Sequence, residues 1–215
     1  MRVFGLFAVV IMLGTSKQPG LPAASSVSTL EYFRGRQHVV AGPAVRLARD
    51  AVSSYLRTGR PTAPTHPLPP EFARKAGVFV TISRHGRRRG CWGRFEPATG
   101  CLRDEIIGAA VAAATSDPRC RPIRLGELKD LEFTVSIVGP LRRTKDTQPY
   151  SPGAFGLLLR SGEKTGVILP GEARTSRWRL AEAKRQAGVS PGEPYELYVF
   201  ETVALRAPEA TRCQR

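Results

Sequence analysis

The hydrophobic and polar positions of the chain change period several times, and each period predicts an element. From Gly42-Pro43, the apolar residues Val45, Ala48, Val52, Tyr55 and Leu56 recur every three or four positions as far as Thr58-Gly59. This predicts an amphipathic helix with Pro in its first turn. The stretch 59–70 carries five Pro and reads as a stiff surface linker that leaves His66 in solvent. Gly77 to Ser83 is a β-branched and aromatic run, and His85-Gly86 supplies a tight turn into a returning strand. A two-residue turn sets Arg84 against Arg87, Ile82 against Arg89 and Val80 against Cys91. Leu102 to Thr115 is an Ala-rich helix with Ile106, Ala109, Ala110, Ala113 and Ala114 on one side, stopped at Asp117-Pro118.

Further along, Phe133, Val135 and Ile137 alternate with Glu132, Thr134 and Ser136 over Leu131 to Val138, the period of a half-buried strand. Strands are predicted at Phe155 to Leu159 and Gly166 to Leu169 around the turn Ser161-Gly162. A helix follows from Arg177 to Ala187, closed by Gly188, and then a last strand from Tyr195 to Leu205. Helices and strands mix without regular βαβ alternation. The fold class is therefore α+β, a largely antiparallel sheet with packed helices.

Composition narrows the picture. The chain has 215 residues, 41% hydrophobic and 24% charged, which excludes a disordered, collagen-like or polytopic membrane protein. With 33 Lys plus Arg against 18 Asp plus Glu, the formal charge is +15. That excess invites a nucleic-acid reading, but 27 Arg against 6 Lys beside 21 Gly and 18 Pro is also the signature of a GC-rich coding sequence.

Val3 to Gly14 is an apolar run preceded by Arg2 and followed by Ala23-Ala24-Ser25-Ser26, which resembles a secretory signal. It is shorter than the roughly 20 residues a membrane span needs, and no integral membrane domain is expected. The organisation expected is a signal-like segment at 1–28, a leader at 29–41, the folded domain at 42–205 and a tail at 206–215. Export or a loose membrane tether follows if the signal is genuine, and a cytoplasmic location otherwise.

The densest chemistry lies at 84–94, Arg-His-Gly-Arg-Arg-Arg-Gly-Cys-Trp-Gly-Arg, with five Arg around one thiol and no acid before Glu96. Nearby cations favour thiolate, so Cys91 is a candidate nucleophile. Arg89 would hold an anion, Gly90 and Gly93 would admit a close backbone or ligand, and Trp92 offers a stacking face. The same residues also read as packing: Cys91 as a small hydrophobe, Trp92 as core, the Arg run as a solvated strand face.

Phe79-Val80-Thr81, Arg88-Arg89-Gly90-Cys91-Trp92-Gly93, Asp117-Pro118-Arg119-Cys120, Pro122, Glu127-Leu128 and Val135-Ser136 occur in the order and spacing of the AMMECR domain family. Phe155-Gly156-Leu157, Leu169-Pro170, Trp178 and Ala187-Gly188 extend this resemblance over about 42–205. The family hexapeptide is Leu-Arg-Gly-Cys-Ile-Gly, and this chain departs from it at Arg88 and Trp92, at Cys120 where the family has Phe, and at Gly171 where it has Gln. The resemblance implies an α+β fold of two lobes with the hexapeptide near a cleft between them. It also implies an association, for bacterial members such as AmmeMemoRadiSam system protein A, with a Memo-like protein and a radical S-adenosylmethionine enzyme.

Three functions stay open on this reading. One is a thiol-dependent enzyme or modification factor using Cys91, with Glu127 as acid or base. Another is a nucleotide, nucleic-acid or anion-binding module, with Arg89, Gly90, Trp92, Gly93, Asp117 and Arg119 as ligand-binding candidates. The third is a partner-binding scaffold in which Asp117 caps a turn and Glu127 pairs with an Arg. No cofactor is implied. Cys91, Cys101, Cys120 and Cys213, with His38, His66 and His85, lack metal-ligand spacing.

Overall fold

The computed structural model describes residues 28–61 and 63–207. The signal-like segment up to residue 27, Cys213 and the tail beyond 207 lie outside the described residues. The described chain divides into two compact units, a larger one of residues 28–138 and 203–207 and a smaller one of 139–202.

In the larger unit, helix α1 (Thr29–Gly35) starts on Ser28, whose hydroxyl accepts the Glu31 N–H at 3.2 Å, and it buries Leu30 and Phe33. Tyr32 is held between two guanidiniums, with Arg36 at 4.1 Å and Arg74 at 4.0 Å from its ring centroid. Helix α2 (Gln37–Thr58) begins ahead of the expected start at Gly42 and runs through Pro43. Proline inside a helix removes one backbone bond, at a cost of roughly 3 kcal/mol. Burial of Val40 on the same stripe as Ala44 and Leu47 carries the helix across that break. His66 is exposed in the linker, as its Pro-rich setting predicts.

Strands β1 (Val78–Arg84) and β2 (Arg87–Arg94) form the hairpin, turned at His85 (φ 51°) and Gly86 (φ 71°). Helix α3 (Leu102–Thr115) packs across both, and β3 (Leu131–Val138) pairs antiparallel with β1. The sheet order is β2-β1-β3-β8, where β8 is Thr202–Arg206, so β2 and β8 are its edges. Val78, Val80 and Ile82, all fully buried, face the helices together with the Ala109, Ala110 and Ala113 side of α3. The Ala-rich face of α3 brings its backbone close to the sheet, as the sequence predicts.

The smaller unit contains β4 (Arg142–Thr144), β5 (Gly156–Ser161), β6 (Lys164–Ile168), α4 (Ser176–Ala187) and β7 (Glu196–Phe200), in sheet order β4-β7-β5-β6. Leu157, Leu159, Ile168, Leu197 and Val199 form its core with Ala183 and Ala187 of α4. A Cβ on Gly166 would lie 2.0 Å from the Ala183 carbonyl oxygen, so glycine is what lets α4 rest on the sheet. Arg179 is fully buried and donates to the carbonyls of Thr147, Tyr150 and Phe155 at 3.0, 2.8 and 2.7 Å. Burial lowers its pKa from the ordinary value.

The single strand expected over Tyr195 to Leu205 is two strands in two sheets. β7 belongs to the smaller sheet and β8 to the larger, with the break at Glu201. Leu197, Val199, Val203 and Leu205 keep one apolar phase across the junction, and Glu201, a charged residue in that phase, is the interruption that marks the change of partner. The α+β class and the antiparallel hairpins are as predicted, but they are distributed over two four-stranded sheets rather than one.

Candidate functional site

The hexapeptide lies on β2, and a bulge decides what each of its residues does. Beyond the turn, Arg84 faces Arg87 and Ser83 faces Arg88, but Ile82 faces Gly90, leaving Arg89 as the extra residue. The expected pairings of Ile82 with Arg89 and Val80 with Cys91 are therefore displaced by one position. Val80 faces Trp92 and Thr81 faces Cys91. Because side chains alternate along a strand, the one-residue shift sends Gly90 and Trp92 to the helix face and Cys91 to the other.

Each consequence has a packing role. A Cβ on Gly90 would stand 1.9 Å from the Ala113 carbonyl oxygen, so α3 sits directly on this glycine. A Cβ on Gly93 would meet Val78 O at 2.1 Å and the Phe79 ring carbon Cγ at 2.6 Å, because Phe79 lies across it. Trp92 packs against the core of the larger unit. Cys91 is 8% exposed, and the Thr81 hydroxyl donates to its Sγ at 3.4 Å.

The outward-facing backbone of this edge strand is taken by the loop after α3. The Cys91 N–H donates to Asp117 Oδ2 at 2.8 Å, and Arg119 Nη2 donates to the Cys91 carbonyl at 3.3 Å. Asp117 also accepts from the Arg119 backbone N–H at 3.0 Å and, in a two-pronged ion pair, from its Nε at 2.8 Å and Nη2 at 2.9 Å. Burial by itself would raise the Asp117 pKa. The hydrogen bonds from Arg119 and Cys91 outweigh it and hold the carboxyl below the usual carboxylate range. Burial, aided by the Asp117 charge, pushes the neighbouring Cys120 thiol up.

The bulged Arg89 makes a second latch. Its Nε and Nη2 donate to Glu127 at 2.9 and 3.0 Å, and Nη1 donates to the Arg121 carbonyl at 3.1 Å. Glu127 further accepts the Arg124 N–H at 2.9 Å. The bond from Arg89 holds the Glu127 carboxyl below its ordinary value, and the same bond raises Arg89. Of the five Arg at 84–94, Arg84 pairs with Asp130 at 2.7 Å and Arg94 with Glu105 at 3.7 Å, besides Arg89 with Glu127. The acids missing from the local sequence arrive from elsewhere in the chain.

The structure thus brings Cys91 together with Asp117 and Arg119, and Arg89 together with Glu127. Thr81, Phe79, Ala113 and Asp130 complete these clusters; Phe79 and Thr81 stand in the Phe-Val-Thr run and Ala113 on the apolar side of α3, while nothing in the sequence pattern marks Asp130. Thr81 follows from the Phe-Val-Thr run only when the bulge is known. Among the described residues, no group of three or more His, Cys, Asp or Glu is placed to hold a metal ion, and no disulfide joins Cys91, Cys101 or Cys120. No helix among the described residues is long and apolar enough to cross a membrane.

Fold and site together define an α+β domain whose Gly-Cys edge strand is clamped by an Asp-Pro-Arg loop. The AMMECR1 family model matches residues 45–205, and the chain belongs to this family. It is 37% identical over 161 residues to a protein of Pyrococcus furiosus, covering 68% of this chain and 76% of that one. It is 34% identical over 163 residues to a protein of Thermotoga maritima, covering 74% and 94%. A Clostridium acetobutylicum protein matches at 32% over 163 residues, which is 74% of this chain but 34% of that protein. The crystal structure of an uncharacterized protein from Pyrococcus horikoshii superposes with a TM-score of 0.64 at 32% identity, covering 76% of this chain and 89% of that chain.

Proposed function

We propose that this protein is a non-catalytic partner-binding or scaffold domain, working in a system with a Memo-like protein and a radical S-adenosylmethionine enzyme. The observation that carries the reading is the use of the hexapeptide by its own fold. Gly90 seats α3, Gly93 receives Phe79, Arg89 is matched by Glu127, and both backbone polar groups of Cys91 are bound by Asp117 and Arg119. A nucleophile needs access, and Cys91 is 8% exposed. The Clostridium acetobutylicum relative supports the reading further, since there the matched region is a minor part of a longer chain, as suits a domain that works beside others. The Memo-like and radical-enzyme context rests on the family resemblance.

The reading is tested by iodoacetamide labelling of the native protein, followed residue by residue, with Cys91→Ala as the companion variant. Cys91 stays unlabelled at neutral pH while the fold is intact, and the variant still captures its partners. Rapid labelling of Cys91 in folded protein would instead favour the thiol-dependent reading. One observation speaks for that second reading: the Thr81 hydroxyl aimed at Sγ is a hydrogen-bond donor that would stabilise a thiolate.

A further inference from the structure

Beside the Arg89–Glu127 latch, residues 121–124 line an open groove of about 560 Å³ with Arg89 and Glu127. Its floor is apolar. Ile123 is 3% exposed and anchored by its N–H to the Ala114 carbonyl at 2.8 Å, Pro122 lies open beside it, and the neighbouring Leu125 is 41% exposed, one of four exposed large hydrophobic residues among those described. Arg121 and Arg124 are exposed, and neither guanidinium forms an ion pair or donates a hydrogen bond to a described residue. The latch ties the Arg121 carbonyl and the Arg124 N–H to Arg89 and Glu127, so the groove backbone is fixed before anything binds.

We propose that this groove docks an extended segment of a partner protein in which acidic residues alternate with aliphatic ones. This rests on the partner-binding reading and names the surface and the chemistry of the partner. Arg89 is already neutralised by Glu127, so the uncompensated charge belongs to Arg121 and Arg124 and calls for carboxylates. Pro122 in the groove, and the exposed Leu125 next to Arg124 just beyond its lining, offer contact to aliphatic side chains. Nucleic acid fits less well, because no aromatic side chain lines the groove for bases to stack on. A small isolated anion fits less well too, since the Ile123 and Arg124 N–H groups are already turned to the Ala114 carbonyl and to Glu127.

The test is fluorescence anisotropy on the full chain with a labelled peptide of alternating Glu and Leu, beside polyglutamate and an oligo-dT strand of equal charge. The alternating peptide binds the wild type most tightly. Its affinity falls about tenfold in the double variant Arg121→Glu/Arg124→Glu, from two attractions turned to repulsions at a solvated rim, and severalfold in Leu125→Ser. Both variants keep the wild-type melting temperature, because the substituted side chains are exposed. Undiminished binding in the charge-reversed protein overturns the proposal while leaving the Cys91 labelling result untouched. Tighter binding of oligo-dT overturns it in favour of a phosphate ligand, and equal binding of polyglutamate overturns it by removing the apolar component.

Discussion

The Asp117 carboxylate accepts the backbone N–H of Cys91 at 2.8 Å, standing where a neighbouring strand would otherwise pair with the edge of β2. Arg119 completes the imitation by donating to the Cys91 carbonyl, while its remaining donors hold Asp117 in place. A side chain with two acceptors and a guanidinium thus close an edge that a rival strand could use.

Asp117→Ala breaks this arrangement at a carboxylate whose side chain is 1% exposed, removing the acceptor of the Cys91 N–H and the ion-pair partner of Arg119. Urea denaturation is expected to show a loss of about 2–4 kcal/mol. Light scattering coupled to size exclusion is expected to show a larger share of high-mass species than in the wild type. The acid limb changes as well. The folded pKa of Asp117 is depressed, so its contribution is present above the ordinary carboxylate pKa of about 3.9 and is lost as pH falls below it. Asp117→Asn flattens that part of the stability profile, and an unchanged profile would contradict the assignment.

Two glycines give opposite results on substitution by alanine. Gly90→Ala places a methyl group 1.9 Å from the Ala113 carbonyl oxygen, a backbone atom that cannot step aside, and is expected to cost about 3 kcal/mol or prevent folding. At Gly108, exposed within α3, a Cβ would meet nothing within 4 Å, and Gly108→Ala is expected to stabilise by about 0.5–1 kcal/mol. Melting curves of the two variants beside the wild type decide both.

In the smaller unit, Glu193 accepts the Ser190 N–H at 3.0 Å, the Lys164 ammonium at 2.9 Å on each oxygen, and the Ser161 hydroxyl at 2.8 Å. These bonds, the Ser190 N–H first and Lys164 next, hold its pKa at about 2. The stabilisation is present above the ordinary glutamate value of 4.5 and disappears as pH falls from there through about 2. Carbon-detected NMR titration of the side-chain carboxyl is expected to give a midpoint near 2 in the wild type. A higher midpoint is expected in Lys164→Met. A wild-type midpoint at the ordinary value would refute this.

Arg179 serves three carbonyls from a fully buried position. Arg179→Met fills similar space but removes a donor from each of those carbonyls, of which Thr147 keeps the Tyr150 N–H at 3.3 Å, and is expected to destabilise by about 2–3 kcal/mol. Hydrogen exchange should then rise first over residues 147–155, and Arg179→Lys should restore only part of the protection, because an ammonium lacks the planar fork.

The helices and most strands are legible in the sequence because they rest on local periodicity: the Ala face of α3, the alternation of β3, the Gly188 stop of α4. Three features escape it for physical reasons. Helix α1 is seven residues long, too short for a periodic signal, and is fixed by Phe33 in the core and by Tyr32 between two Arg. The bulge at Arg89 leaves no trace in an alternating pattern counted from the turn, yet it decides which way Cys91 faces. The positive charge around Cys91 is smaller in space than along the chain, because Glu105, Glu127 and Asp130 are remote in sequence and adjacent in the fold.

The break at Glu201 has a consequence for synthesis. Residues 139–202 are contiguous and contain every strand of their own sheet, so that unit can close as soon as it has left the ribosome. The larger sheet cannot, because its edge strand β8 is Thr202–Arg206, translated after the whole of the smaller unit. Until then the β3 edge is uncovered, and the half that carries the hexapeptide, although made first, is finished last.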